Sequence, residues 1–113
     1  MARTIYPDAG SLVRLAFAPR AGESGGSPHA ALVLSAEIYH HRTPLAVVCP
    51  IVAEEKGYPF EVVLPPGLAL AGIVLADHVC SIDRAARGLE VVGSVPAAIL
   101  AEVRAKLAAL LAT

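Results

Sequence analysis

The sequence contains no tryptophan, and it has only two phenylalanines and three tyrosines among its 113 residues. Much of its 56% hydrophobic content is alanine, so the high mean hydropathy reflects many small side chains rather than bulky ones. The apolar run from Leu64 to Ala76 is broken by a Pro-Pro-Gly sequence and falls short of the roughly 20 residues that a membrane-spanning helix needs. The sequence therefore predicts no membrane span.

Cysteine is also scarce, and neither of the two cysteines lies in a CxxC motif. Cys49 and Cys80 both have apolar neighbours, which predicts buried thiols rather than a disulfide or a metal site. Near the N-terminus, Pro7, Asp8 and Gly10 stand where a secretory signal would have an apolar core. We therefore expect a cytoplasmic protein.

The sequence also has no excess of positive charge. Nine lysines and arginines against ten acidic residues give a formal net charge of −1, which argues against a general nucleic-acid coat. Any site for a polyanion must then be local. The length predicts one domain, residues 1–113.

What the chain does have is a series of short apolar segments separated by turns. Val13, Leu15 and Phe17 alternate with Arg14, which predicts a strand with those three side chains towards the core. The run 29–35 is apolar throughout and predicts a central strand covered on both faces. Further strands are expected over residues 45–52, 60–64, 71–76 and 89–93.

The C-terminal segment carries leucine and valine at helical spacing. It predicts a helix capped by Ser94, with Pro96 in the first turn and with Glu102 and Lys106 paired on the exposed side. Five or six short strands followed by this helix predict a mainly β fold with some α structure, a small barrel-like domain with a C-terminal helix.

Two loops separate the predicted strands. Residues 19–28 include three glycines and predict an irregular loop. Residues 53–57 form the only strongly charged segment in the middle of the chain, and Gly57 and Pro59 predict a turn there. We expect a functional surface to begin at this second loop.

Several stretches occur together, in one order, along nearly the whole chain. They include Ala31-Leu32-Val33-Leu34-Ser35, Val48-Cys49-Pro50, the specific string Lys56-Gly57-Tyr58-Pro59-Phe60-Glu61-Val62, and Arg84 with Arg87. This set resembles the MazF/PemK family of toxins. The resemblance implies a compact SH3-like β-barrel of the MazF, CcdB and Kid type with short helices. It also implies a homodimeric, sequence-specific endoribonuclease that acts on single-stranded RNA without a metal or other cofactor and is neutralised by a MazE-like antitoxin.

The implied chemistry is attack of a ribose 2′-hydroxyl on the adjacent phosphate, which needs a base, an acid and a group that stabilises the phosphate charge. The family uses an arginine, a threonine and, in some members, a loop glutamate. Here these positions hold His29, Val52 and Ser24, with Glu23 next to the last. Tryptophans that are common in the family are replaced by arginines at positions 14 and 84.

By this resemblance His29 and Glu23 are the candidate catalytic residues. Histidine can bind phosphate or carry a proton, although it offers no bidentate fork, whereas Val52 can neither donate nor accept a hydrogen bond. The candidate RNA-binding residues are Arg20, Ser24 and Lys56. The alternatives are a surface role for His29 and a solvated carboxylate at Glu23.

Other polar residues are given structural roles. His40 and His41 are adjacent without a third ligand at metal spacing, so we expect them to face solvent. Asp77 and His78 end a strand and are expected to make a structural hydrogen bond. Two functions remain open: an active endoribonuclease toxin, or a degenerate relative that keeps the fold, the dimer and antitoxin binding but cleaves little or no RNA.

Overall fold

The computed structural model describes residues 6–17 and 29–112. Within them the strands are β1 Ser11–Leu15, β2 Ala30–Val33, β3 Leu45–Val52, β4 Glu61–Val63, β5 Ile73–Leu75, β6 Cys80–Asp83 and β7 Leu89–Ser94. The helices are α1 Glu37–Arg42, α2 Arg84–Arg87 and α3 Ala97–Leu111, and a 3₁₀ turn spans Ala76–His78. None of these helices is both long and apolar enough to cross a membrane.

The strands form one antiparallel sheet in the order β4-β5-β3-β2-β1-β7, and β6 also pairs with β3. The predicted mainly β fold with a C-terminal helix is confirmed. In the part of the chain that the structure describes, no pairing joins β4 to β7, so the barrel is open rather than closed. The sequence predicted five or six strands; the seventh is β6, which pairs with the first half of β3.

Apolar side chains cover both faces of the sheet. Leu12 and Leu32 belong to one buried cluster, and their chain neighbours Val13 and Ala31 belong to the other, because successive strand residues point to opposite faces. This confirms the predicted central strand with two covered faces. Helix α3 packs on the first cluster through Val103, which is fully buried.

The ends of two predicted elements differ from the structure. Strand β1 ends at Leu15, and Phe17, predicted to face the core, is 60% exposed. Ser94 lies in β7 and does not cap a helix; α3 begins at Ala97 directly after Pro96, with no side-chain cap. Proline can occupy that place because the first N–H groups of a helix have no partner within the helix.

The two cysteines lie in different environments. Cys49 is fully buried in β3, and burial raises the pKa of its thiol to about 12. Cys80 lies at the exposed end of β6. The prediction of two buried thiols is therefore correct only for Cys49.

His40 is buried, contrary to the prediction that it faces solvent. Its Nδ1 lies 2.7 Å from the carbonyl oxygen of Pro7, and since a carbonyl only accepts, Nδ1–H is the donor. Its Nε2 lies 2.7 Å from the hydroxyl of Ser35, which also accepts the N–H of Val47 at 2.9 Å. His41 is exposed as predicted.

The arginines at the two tryptophan positions have different environments. Arg14 is exposed on β1. Arg84 donates through Nη2 to the carbonyls of His40 at 2.7 Å and Thr43 at 2.6 Å, and its guanidinium lies over the ring of Tyr6. These carbonyls lie at the C-terminal end of α1, where a positive charge is favourable. Arg84 thus fixes α1 to the start of α2.

Candidate functional site

The charged loop predicted as a functional surface forms the wall of a pocket of about 450 Å³. The pocket lies between the end of β3, the loop that follows it, the first residue of β4, and the end of β5 with the 3₁₀ turn. It is lined by Val52, Ala53, Glu54, Lys56, Tyr58, Glu61, Leu75, Asp77 and His78. An apolar floor with a charged rim is typical of a small-molecule or nucleotide site.

The carboxylate of Glu61 determines the shape of the loop. It accepts the backbone N–H of Gly57 at 2.8 Å, of Tyr58 at 3.1 Å and of Lys56 at 3.1 and 3.2 Å. Gly57 has φ +82°, a conformation that glycine adopts without steric cost. Glu61 is only 8% exposed, and hydrogen bonds to a charged acceptor are stronger than neutral ones. The loop is therefore preorganised.

The far side of the loop is fixed to the C-terminal helix and to the 3₁₀ turn. Lys106 of α3 donates through Nζ to the carbonyls of Pro59 at 3.0 Å and Glu61 at 3.1 Å. Its ammonium also lies 3.7 Å from the carboxylate of Glu102, which confirms the predicted pair. The N–H of Ala76 donates to the carbonyl of Phe60. This hydrogen bond joins the 3₁₀ turn to the residue before β4.

The rim offers several kinds of polar group. Lys56 is the cation among the lining residues, and Tyr58 presents an aromatic ring that is 64% exposed. On the opposite wall the carboxylate of Asp77 lies 3.8 Å from Nε2 of His78. An ammonium suits a phosphate, an aromatic face suits a base, and a carboxylate beside an imidazole can exchange hydrogen bonds with a base edge or a hydroxyl.

His29 directly precedes β2, the strand that pairs with β3. The β2–β3 register pairs Ala31 with Pro50, and continuing it by two residues places His29 opposite Val52, which lines the pocket. The N–H of Leu15 donates to the His29 carbonyl at 2.9 Å, so this end of the strand is held in the sheet. Residues directly opposite on adjacent strands point to the same face. The His29 side chain, which is exposed, therefore shares the face of Val52.

The structure thus brings together part of the predicted site. Lys56 and Val52 line the pocket, and His29 lies on the adjacent strand end. The predicted residues Arg20, Glu23 and Ser24 lie outside the described residues.

The sequence analysis did not predict that three further polar residues line the pocket. Asp77 and His78 were predicted to be structural, yet both line the pocket. Glu61 was named only within the string that carries the family resemblance. A usable signal was the polar Asp-His pair directly after an apolar strand, since strand ends often carry site residues.

No group of three or more histidine, cysteine, aspartate or glutamate side chains is assembled for a metal ion within residues 6–17 and 29–112. The pocket itself offers the ammonium, imidazole, carboxylate and phenol groups named above.

Known proteins are similar to this chain over nearly its whole length. The family of PemK-like, MazF-like toxins of type II toxin-antitoxin systems matches residues 8–111. The endoribonuclease toxin MazF of Escherichia coli strain K12 is 37% identical over 107 residues, which cover 95% of this chain and 96% of the relative.

Solved structures give the same result. The crystal structure of MazF (Form-I) from Deinococcus radiodurans is 50% identical, with a TM-score of 0.86 over 97% of this chain and 100% of that one. A MazE-MazF crystal structure (Form-II) from the same organism is 46% identical, with a TM-score of 0.83 over 97% and 99%. The fold is that of a MazF-like protein. The chain belongs to the family of PemK-like, MazF-like toxins of type II toxin-antitoxin systems.

Proposed function

We propose that this protein is a toxin that cleaves single-stranded RNA at specific sequences, without a metal ion. The observation that carries the proposal is the pocket lined by Lys56 and Val52, with His29 directly before the strand that pairs with β3. In the proposal, His29 carries a proton and Lys56 supplies the cation that phosphodiester cleavage requires. The MazF relatives, which are called endoribonucleases, support the same assignment.

In the proposed reaction the 2′-oxygen forms a bond to phosphorus while the bond to the 5′-oxygen breaks. Glu23 accepts the proton of the 2′-hydroxyl, and His29 gives a proton to the leaving 5′-oxygen. The products are a 2′,3′-cyclic phosphate and a 5′-hydroxyl. Lys56 binds phosphate oxygens as a point charge, and Arg20 and Ser24 add contacts from the loop before β2.

The pocket beyond the cleaved phosphate binds a neighbouring nucleotide. Tyr58 stacks on its base, while Asp77 and His78 hydrogen-bond to its edge. A volume of about 450 Å³ suits a group of nucleotide size. These two side chains thereby contribute to sequence selection.

We also propose a homodimer that a MazE-like antitoxin neutralises in the cytoplasm. Three crystal structures of MazE-MazF from Deinococcus radiodurans support this proposal. Their chains are 44–46% identical to this one.

The test is to incubate the purified protein with a long single-stranded RNA in EDTA, beside a His29→Ala control. We expect discrete fragments with cyclic phosphate ends from the parent, and at least a tenfold lower rate from the control. The degenerate alternative predicts RNA binding or antitoxin binding without fragments. Identical absence of fragments from parent and control would defeat the endoribonuclease proposal.

A further inference from the structure

Two charged side chains next to the Lys56 loop have no part in the proposed reaction. Glu61 is nearly buried at the start of β4, and Lys106 is half-buried on α3. A buried carboxylate has a desolvation cost that its partners must offset. Both residues direct their polar atoms at the loop that carries Lys56.

The Glu61 carboxylate accepts hydrogen bonds from three backbone N–H groups of the loop. The successive N–H groups of Lys56, Gly57 and Tyr58 all point at its oxygens, between 2.8 and 3.2 Å away. A phosphate at the rim therefore cannot use these N–H groups, and its binding depends on the Lys56 side chain. The direction of that side chain follows from the backbone conformation that Glu61 imposes.

Lys106 continues the connection into the C-terminal helix. Its ammonium donates to the Pro59 and Glu61 carbonyls, on the two sides of Phe60, while it pairs with Glu102 one helical turn away. Two carbonyl oxygens and the nearby Glu102 carboxylate thus hold one ammonium. The position of α3 relative to the sheet is thereby transmitted to the loop.

We propose that Glu61 and Lys106 are positioning residues that hold Lys56 and Tyr58 in the conformation that binds RNA. This rests on the proposed function. Neither residue touches the reacting phosphate; both act through the loop. Their loss should therefore raise KM for RNA and leave kcat nearly unchanged.

A double-mutant cycle measures this dependence. Glu61→Gln keeps the size of the side chain but puts an NH₂ group where a carboxylate oxygen accepted an N–H. We expect KM for an RNA oligonucleotide to rise about tenfold, because charge-assisted hydrogen bonds are lost. In a Lys56→Met background the same change should raise KM by a clearly smaller factor, about threefold, because only the positioning of Tyr58 is then lost. An equal factor in both backgrounds would overturn the proposal.

Glu55→Gln is the matched control, since it removes the same charge from an exposed position in the same loop. Charge removal alone weakens repulsion of RNA and should lower KM slightly. Opposite signs for the two variants support positioning. If Glu61→Gln also lowers KM, electrostatics explains the effect and the proposal is wrong.

Lys106 is tested by Lys106→Met, with Arg104→Met as a control that removes a positive charge from an exposed position on the same helix. The first variant should raise KM about fivefold and the second less than twofold, because only Lys106 holds the loop carbonyls. Equal effects would mean that the helix contributes general positive charge and no positioning.

Amide hydrogen exchange tests the contacts without any RNA. In Glu61→Gln the amides of Lys56, Gly57 and Tyr58 should exchange about tenfold faster, while those of β2 stay unchanged if the fold is kept. Unchanged exchange at the loop would overturn the positioning role. If the parent cleaves no RNA but the loop amides respond as expected, the proposed function fails and the positioning of the loop by Glu61 stands.

Discussion

Two histidines near opposite ends of β2 have different settings: His40 of α1 contacts Ser35 just after the strand, and His29 directly precedes the strand. At the C-terminal end, His40 is buried, and both ring nitrogens lie within hydrogen-bond distance of Pro7 and Ser35. At the N-terminal end, His29 is exposed, and its carbonyl accepts the N–H of Leu15. The difference teaches that residue type alone does not select the reactive histidine. A ring with satisfied nitrogens contributes to folding, while an accessible one beside the pocket is able to meet a substrate.

The largest expected effect is on stability. His40→Ala should lower the free energy of unfolding by about 3 kcal/mol, since it leaves buried partners unsatisfied and opens a cavity. Urea unfolding measures this. His41→Ala, at the exposed neighbouring position, should change stability by less than about 0.5 kcal/mol. Similar losses from both would break the distinction between buried and exposed histidines.

The second effect is on catalysis. His29→Gln should reduce kcat about 100-fold, or about 2.7 kcal/mol, because glutamine cannot transfer a proton. Stability and KM should change little, since the His29 side chain is exposed. Single-turnover cleavage of a defined RNA provides the measurement, and an unchanged kcat would remove His29 from the reaction.

A smaller effect is expected at the pocket rim. Lys56→Met should raise KM about tenfold, or about 1.4 kcal/mol, and reduce the salt dependence of RNA binding by about one charge. Titrations at several salt concentrations test both. Arg42→Met, which removes an exposed positive charge from α1, is the control. If it matches Lys56→Met, binding reflects total charge rather than the pocket.

The smallest expected effect is on how stability depends on pH, and it involves the carboxylate of Asp8. The Asp8 carboxylate accepts the N–H of Glu37 and Ala9 at 2.9 Å each, and these bonds hold its pKa below the ordinary value. A depressed carboxyl pKa contributes stability that is present above the unfolded-state value and is lost as pH falls through the folded-state value. Asp8→Asn should therefore flatten the fall in stability below about pH 4. Thermal unfolding between pH 6 and 3 tests this, and an unaltered acid slope contradicts it.

Much of the sheet could be predicted because the pattern that specifies it is local. Strand β3 occupies the predicted residues 45–52, and the alternation in β1 correctly placed Val13 inwards and Arg14 outwards. The alternation failed at Phe17, since a strand's end depends on its neighbours: the N–H of Phe17 donates to the carbonyl of Arg87, the last residue of α2.

Within the site, the Lys56 loop was identifiable from its specific string and its charge. The pocket wall formed by Asp77 and His78 was not, because it comes from another strand end that only the sheet brings alongside. The role of Glu61 was hidden for a similar reason: a carboxylate in a strand looks exposed until the turn before it folds back onto its oxygens.

The sequence by itself determined most of the strands, the C-terminal helix and the family, since these follow from periodicity and from a string of neighbouring residues. Only the tertiary structure decided which polar groups form hydrogen bonds within the fold. His40 meets Pro7 across 33 residues, and Lys106 meets Pro59 across 47. Such contacts depend on how distant segments pack, and a hydrogen bond between distant residues leaves no periodic trace in the chain.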